Sequence, residues 1–75
     1  MAESVYKIIE LVGTSTESWE AAATAAVTRA SGSLRDLRIA EISKLDLVIE
    51  NDGTISAYRA RVNLSFKYEG EGPSA

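Results

Sequence analysis

The sequence contains no cysteine and no histidine among its 75 residues. Disulfide bonds are therefore excluded, and thiol catalysis, imidazole acid–base chemistry and most zinc sites lose the residues on which they depend. A chain of this length forms at most one domain, and so small a hydrophobic core barely offsets the entropy lost on folding. Domains of this size are commonly stabilised by disulfides, a metal or association. With disulfides excluded, we expect association with other copies of the chain.

The chain also lacks an excess of positive charge and any long apolar run. Its net charge is −3, so no overall field attracts it to nucleic acid or to an anionic membrane. No stretch approaches the roughly 20 apolar residues that span a bilayer, and the N-terminal residues show no basic segment or apolar core of a secretory signal. We therefore expect a cytoplasmic protein that binds neither nucleic acid nor membranes.

Catalysis has little support in the residues that remain. Without histidine, no Ser or Thr hydroxyl has its usual general base. Glu17 and Glu20 lie one helical turn apart and could act as acid and base, but carboxylates at the start of a helix more simply complement its dipole. The sequence predicts a protein that is not an enzyme.

What is present is an ordered series of strands and one helix. Residues 5–12 are rich in Val, Ile, Leu and Tyr and predict a first strand that ends at Gly13. Thr14 and Glu17 have the spacing of a capping box and predict a helix over residues 15–30, which Gly32 stops. Apolar side chains recur along one side of this helix: Trp19, Ala22, Ala23, Ala26, Val27 and Ala30. This stripe is expected to face a sheet, with its tryptophan as a core anchor rather than a ligand-stacking group.

Two long extended segments, 37–49 and 54–68, are separated by Asn51-Asp52-Gly53, a strong hairpin signal. The second segment alternates strictly between apolar and polar residues, whereas the first changes apolar phase between Ile42 and Leu45. The change predicts a β-bulge at Ser43-Lys44. With a two-residue Asp-Gly turn, the predicted pairs are Leu47 with Tyr58, Leu45 with Ala60, Ile42 with Val62 and Ala40 with Leu64.

The predicted register gathers a mostly polar set on the sheet face away from the helix: Ile39, Glu41, Asp46, Arg59, Arg61 and Asn63. We expect any ligand or partner site to use this face. Arg59, Arg61 and Lys67 could read phosphates there. Asp46 opposite Arg59 and Glu41 diagonal to Arg61 indicate ordinary cross-strand ion pairs instead.

The turn is the main candidate for a metal site. Glu50, Asn51 and Asp52 place oxygen donors close together, which suits a hard cation such as calcium or magnesium. They lack the spaced carboxylates of an EF-hand, and a turn of this composition is often only a turn. Both interpretations stay open.

The predicted hairpin is longer than one helix can cover. A strand of some 15 residues spans roughly 50 Å, whereas a helix of similar length spans about 24 Å. The uncovered part is expected to curl around the helix or to pack against neighbouring copies. We expect a single domain over residues 1–69 and a disordered tail over 70–75.

Three segments together resemble the dodecin family. They are Ile8-Ile9-Glu10-Leu11-Val12-Gly13-Thr14-Ser15, Ile39-Ala40-Glu41-Ile42 and Val62-Asn63-Leu64-Ser65-Phe66, and the resemblance covers residues 4–68. The resemblance implies an α+β fold of order β-α-β-β, with a three-stranded antiparallel sheet partly wrapped around one α-helix. It also implies a homododecameric hollow shell in which family members store or sequester flavins.

The resemblance also bears on the ligand. In flavin-binding members a tryptophan stacks on the isoalloxazine ring at the position of Ile39, and a glutamine hydrogen-bonds the flavin at the position of Arg59. Both are replaced here. The chain therefore looks like the branch in which bound calcium has been described instead. The candidate small-ligand residues are Ile39, Glu41, Arg59 and Arg61, and the candidate metal ligands are Glu50, Asn51 and Asp52. Binding of FMN or riboflavin with altered stacking, and a ligand-free structural oligomer, are the alternatives.

Overall fold

A computed structural model describes residues 3–67. The elements follow the predicted order: β1 (Tyr6–Ser15), α1 (Trp19–Ser31), β2 (Leu37–Ile49) and β3 (Ile55–Lys67). The strands form one antiparallel sheet in the order β1-β3-β2, with α1 on one face. The predicted α+β class and topology are confirmed. The prediction of a disordered tail over 70–75 lies outside the described residues.

The core lies between α1 and the central strand β3. As the strict alternation predicts, Ala60, Val62 and Leu64 point towards the helix and are buried. Three alanines of the predicted helical stripe meet them: Ala22, Ala26 and Ala30. Small side chains on the helix allow it to lie close to the sheet. Among residues 3–67, the largest fully buried side chains are Val62 and Leu64, so the core of one copy is small.

The first strand does not end at Gly13, as the sequence predicted, but continues to Ser15. Gly13 is buried beneath the helix, and a Cβ at this position would overlap the carbonyl group of Ala22. The glycine therefore serves a close approach of strand and helix and not a turn. That approach fixes the start of α1 over the end of β1.

The helix begins later than predicted, and the Thr14–Glu17 capping box does not form. Ser18 is the N-cap, and its Oγ accepts a hydrogen bond from the backbone N–H of Ala21 at 3.0 Å. Ser15 Oγ instead accepts from the backbone N–H of Glu17 at 2.9 Å. The C-terminal stop at Gly32 is confirmed.

The predicted register and bulge of the hairpin are both confirmed. All four expected pairs form, and the ladder skips Ser43 between Ile42 and Lys44. The Ser43 hydroxyl donates to the Arg61 carbonyl oxygen at 3.3 Å. A further irregularity, between Leu37 and Ile39, was not predicted. The edge strand β2 thus carries an unpaired extra residue at two points, Arg38 and Ser43, whereas the edge strand β1 pairs without interruption.

The hairpin turn is not the expected two-residue turn. Asn51, Asp52 and Gly53 form a three-residue loop, closed by hydrogen bonds from Gly53 N–H to the Glu50 carbonyl oxygen (2.9 Å) and from Glu50 N–H to the Thr54 carbonyl oxygen (2.8 Å). Gly53 has a φ of 88°, the conformation in which glycine is favoured. The third irregularity of the ladder lies beside the loop, between Val48 and Ile49, and restores the predicted register.

The hairpin extends well past the helix, as its length predicted. The longest dimension of the described chain is 55 Å, and α1 packs against β1 and β3 but scarcely touches β2. Several large apolar side chains of the hairpin are consequently exposed on the helix side: Ile42, Leu45, Ile49 and Ile55.

The helix α1 has too few residues, and too little apolar character, to span a membrane, and the described residues contain no other helix that could do so.

Candidate functional site

The sheet surface opposite α1, here called the outer face, carries the predicted ligand residues. Register places side chains of β1, β3 and β2 in rows across this face: Ile8–Ser65–Ile39, Glu10–Asn63–Glu41, Val12–Arg61–Lys44 and Thr14–Arg59–Asp46. All four predicted small-ligand residues therefore share one surface. The apolar row lies at one end and the charged rows follow it.

Arg59 and Asp46 form the strongest contact of the outer face. Arg59 Nε donates to Asp46 Oδ1 at 2.7 Å, and Nη2 donates to Oδ2 at 3.0 Å. This geometry is the two-pronged one that guanidinium and carboxylate groups favour. The hydrogen bond from Arg59 holds the pKa of Asp46 below its ordinary value, and the same bond raises the pKa of Arg59. The predicted cross-strand pair is confirmed, and it engages two nitrogen atoms of the Arg59 guanidinium, Nε and Nη2.

The predicted ion pair between Glu41 and Arg61 is wrong. Within residues 3–67, the carboxylate within ion-pair distance of Arg61 belongs to Glu10, whose Oε2 lies 3.9 Å from Nε. Both glutamates sit diagonal to Arg61, but the extra residue at Ser43 separates Glu41 from the row of Arg61. Glu10 was missed from the sequence, although its place between the outward Ile8 and Val12 of β1 is the signal that would have found it.

Ile39 is 61% exposed and presents an aliphatic side chain where the resemblance expects a ring-stacking group. Ile8 stands across Ser65 from it and is equally exposed. The two isoleucines form an apolar patch at one end of the outer face. Such a patch can contact a flat apolar ligand or a neighbouring copy, but it has no aromatic surface for stacking.

The turn at the far end of the hairpin holds the predicted metal ligands. Asp52 Oδ1 accepts hydrogen bonds from Thr54 N–H at 3.0 Å and from Thr54 Oγ1 at 2.7 Å. The side-chain hydrogen bond from Thr54 is the main cause that lowers the pKa of Asp52. Glu50 and Asn51 precede Asp52 in the chain and are exposed. Within residues 3–67, no three acidic side chains of one copy come together.

Trp19 lies on the other side of the sheet from the outer face. Its ring meets Tyr58 edge to face, with ring centres 5.2 Å apart and planes inclined at 75°, and Nε1 donates to the Asp46 carbonyl oxygen at 3.0 Å. Trp19 therefore packs against Tyr58 but lies outside the buried core, where the sequence predicted it as an anchor. A groove of about 430 Å³ runs beside it, lined by Trp19, Glu20, Ala23, Thr24, Ile42 and Leu45.

Comparison with known proteins identifies close relatives over nearly the whole chain. The sequence profile of the family described as "Dodecin" matches residues 5–69. Calcium dodecin of Mycobacterium tuberculosis is 45% identical over 64 residues, 85% of this chain and 89% of its own length. Its crystal structure, described as that of a calcium-chelating protein with a novel calcium-binding site, superimposes with a TM-score of 0.78 at 43% identity and covers 93% of this chain and 99% of that one. Dodecin of Thermus thermophilus is 40% identical over 65 residues, 87% of this chain and 93% of its own.

Proposed function

Because the chain belongs to the dodecin family, we propose that it forms a closed shell of twelve copies that binds calcium in preference to flavin, without catalysing a reaction. The proposal rests on the side chains found at two positions of the outer face, Ile39 and Arg59. Ile39 offers no ring, and Arg59 is held by Asp46. The two positions that serve flavin in the family are thus occupied by groups that do not serve it.

The distribution of apolar side chains supports the assembly. The core of one copy is made largely of alanine, while larger apolar residues are exposed on both sides of the sheet. A monomer with this distribution leaves its most hydrophobic side chains in water, at about 25 cal/mol per Å². Packing among copies removes that surface from water and substitutes for the disulfides that the chain lacks.

The similarity to calcium dodecin, together with the oxygen donors at the turn, supports calcium as the ligand. Calcium takes six to eight oxygen ligands. One turn can offer carboxylates from Glu50 and Asp52 and an amide oxygen from Asn51, which is fewer than the ion requires. We therefore place neighbouring copies or water in the remaining positions. The acidic net charge of −3 per chain favours cation binding by the assembled particle.

Calcium titration of the purified particle tests the proposal. Light scattering first establishes the number of copies, and calorimetry then measures calcium binding after treatment with EDTA. We expect the melting temperature to rise with calcium and to fall with EDTA, since a ligand that binds only the folded state stabilises it. Asp52→Asn keeps an oxygen for the Thr54 hydrogen bonds but removes the charge, and should weaken calcium binding at least about tenfold.

Asp36→Asn is the matched control. This substitution also removes one carboxylate. The backbone φ of residue 36 is 59°, a conformation that asparagine adopts readily. This variant should bind calcium within about twofold of the unmodified protein. An equal loss of calcium affinity in both variants would show that the net charge of the chain, and not the turn, governs calcium binding. A stable monomer in scattering would contradict the shell itself.

A flavin store with altered stacking is the second candidate, and the apolar patch of Ile8 and Ile39 favours it. The patch is exposed and could lie against one side of a flavin ring. The colour of the purified particle separates the two candidates. Yellow protein whose fluorescence rises on denaturation supports flavin, whereas colourless protein that responds to EDTA supports calcium.

A further inference from the structure

The hairpin turn contains a dipeptide whose side chain and backbone can react with each other. Asp52 is followed by Gly53, whereas the other aspartates of the chain, Asp36 and Asp46, are each followed by leucine. An aspartyl side chain can attach to the backbone nitrogen of the next residue and form a cyclic succinimide. Glycine permits this reaction best, because it has no side chain to obstruct the approach and leaves the backbone free to turn. The sequence therefore distinguishes Asp52 from the other aspartates.

The structure gives this dipeptide both space and water. Asp52 and Gly53 are exposed and lie outside the paired ladder of the hairpin. A Cβ built at Gly53 would meet nothing within 4 Å, so the surroundings of this residue are open. Asp46, in contrast, lies within β2, where its carboxylate binds Arg59 and the next residue is paired with β3. Its side chain and backbone are held by the sheet.

Hydrogen bonds restrain both reacting groups of the turn. Asp52 Oδ1 accepts from Thr54 N–H at 3.0 Å and from Thr54 Oγ1 at 2.7 Å. The backbone N–H of Gly53 donates to the Glu50 carbonyl oxygen at 2.9 Å. For the ring to form, the carboxyl group must turn away from Thr54, and the Gly53 nitrogen must leave Glu50. The bonds that hold the carboxyl group both come from Thr54, so this residue is the main obstacle to the reaction.

We propose that Asp52 is the site at which this chain isomerises spontaneously to isoaspartate, and that Thr54 sets the rate by holding the carboxyl group. In the first step the nitrogen of Gly53 forms a bond with Asp52 Cγ. One carboxyl oxygen leaves as water and takes the nitrogen's proton and the carboxyl proton with it. Water then adds to one of the two ring carbonyl carbons, and the bond from that carbon to nitrogen breaks. Opening at Cγ restores aspartate, whereas opening at the main-chain carbonyl carbon gives isoaspartate.

The product has a different turn and a different carboxylate. Isoaspartate leads the main chain through the former side chain, which adds a carbon to the backbone and leaves the free carboxylate directly on Cα. The hydrogen bonds from Thr54 to Oδ1 cannot form in the same way. This inference goes beyond calcium binding and holds whether or not the turn binds a metal. Asparagine before glycine forms the same ring with loss of ammonia, so the Asp52→Asn variant is titrated with calcium directly after purification.

The rate of isomerisation tests the role of Thr54. The unmodified full-length protein and Thr54→Val are incubated with EDTA at one neutral pH, and circular dichroism confirms that both are folded. Isoaspartate is then located by mass spectrometry of peptides and quantified with an isoaspartyl methyltransferase. We expect it at position 52 in both proteins, formed about tenfold faster in Thr54→Val, because the variant loses a hydrogen bond to a charged oxygen. Thr54→Ala provides a second variant without the hydroxyl.

Thr54→Ser and Ser56→Ala are the matched controls. Thr54→Ser keeps the hydroxyl, and Ser56→Ala removes a hydroxyl of the same ribbon that bonds to the Val48 carbonyl oxygen and not to Asp52. Both should isomerise within about twofold of the unmodified rate. Equal or slower isomerisation in Thr54→Val and Thr54→Ala would overturn the inference, as would isoaspartate that appears first at Asp36 or Asp46. A monomer in light scattering would refute the proposed shell without affecting this result.

Discussion

Asp46 connects the two sides of the sheet through two different groups. Its carboxylate binds Arg59 on the outer face, and its backbone carbonyl oxygen accepts from the indole of Trp19 on the helix side. The side chain of Arg59 is therefore linked, through Asp46, to the indole of Trp19. A change at Arg59 should consequently alter the fluorescence of Trp19 as well as the chemistry of the outer face.

A tryptophan at position 39 and a glutamine at position 59, the residues that the resemblance to flavin-binding dodecins implies there, should create a flavin site. The double variant Ile39→Trp with Arg59→Gln supplies a ring for stacking and frees the surface from its ion pair with Asp46. We expect FMN or riboflavin to bind at least tenfold more tightly than to the unmodified protein, about 1.4 kcal/mol. Flavin fluorescence quenching measures the affinity. Val12→Trp with Arg59→Gln is the control, because it places the ring in another row of the same face. Its flavin affinity should rise much less.

Two results of this flavin titration would contradict the prediction. Tight flavin binding by the unmodified protein would show that Ile39 and Arg59 do not exclude the ligand. A double variant that folds and assembles but gains no affinity would show that the outer face is shaped differently from the flavin site of the family.

Acid should remove the contribution of the Arg59–Asp46 pair. The pKa of Asp46 is lowered by the hydrogen bond from Arg59, so the pair stabilises the fold above the ordinary value of 3.8 and this contribution is lost as the pH falls through the lowered pKa. The melting temperature of the unmodified protein should therefore exceed that of Asp46→Asn at neutral pH. The difference should shrink as the pH falls below 3.8 and vanish once the pH is below the lowered pKa of Asp46. Thr54→Val, which removes the hydroxyl bound to Asp52, should not change this difference.

Gly13 should not tolerate a side chain, because a Cβ would overlap the carbonyl group of Ala22. We expect Gly13→Ala to lower the free energy of unfolding by about 1–3 kcal/mol, the usual cost of overpacking. Gly32→Ala is the control. The φ of Gly32 is −74°, which suits alanine, and a Cβ there would make only van der Waals contact with the carbonyl oxygen of Arg29. This variant should have an unchanged free energy of unfolding or one raised by up to about 1 kcal/mol. Denaturant titration compares the two, and equal effects would contradict the packing argument.

Deleting Ser43 should disrupt the hairpin far more than replacing it. Without the extra residue, either Leu45 and Leu47 or Ala40 and Ile42 would face the wrong side of the sheet. We expect the deletion to abolish the folded assembly, as measured by circular dichroism and light scattering. Ser43→Ala loses only an exposed hydrogen bond to the Arg61 carbonyl oxygen and should cost less than about 1 kcal/mol. A deletion variant that assembles normally would show that the hairpin can absorb the missing residue elsewhere.

Much of the hairpin could be predicted because its apolar alternation admits one register. The pairs of Leu47 with Tyr58 and of Ile42 with Val62 follow from which side chains must be buried. The turn could not be derived in the same way, since a three-residue loop followed by an irregularity gives the same register as a two-residue turn. Burial constrains the strands strongly, but exposed loop residues are constrained only by local backbone geometry.

Local sequence patterns did not predict the start of the helix or the ion-pair partner of Arg61. Several hydroxyl residues precede the helix, and each could cap it; Ser18 is selected because Gly13 brings β1 close beneath Ala22. Glu10 and Glu41 are both diagonal to Arg61, and the bulge decides between them. In both cases the deciding contact joins elements that are distant in sequence, so no local pattern contains it.

The two interruptions of β2 have a consequence for how many copies can join. An edge strand with regular pairing offers a template on which sheets can extend without limit, as in amyloid fibrils. In β2 the ladder shifts near Arg38 and again at Ser43, so a straight strand from another chain cannot follow it along its length. Growth by edge-to-edge addition is therefore blocked on that side. A crowded solution of this chain should yield particles of fixed size rather than fibres.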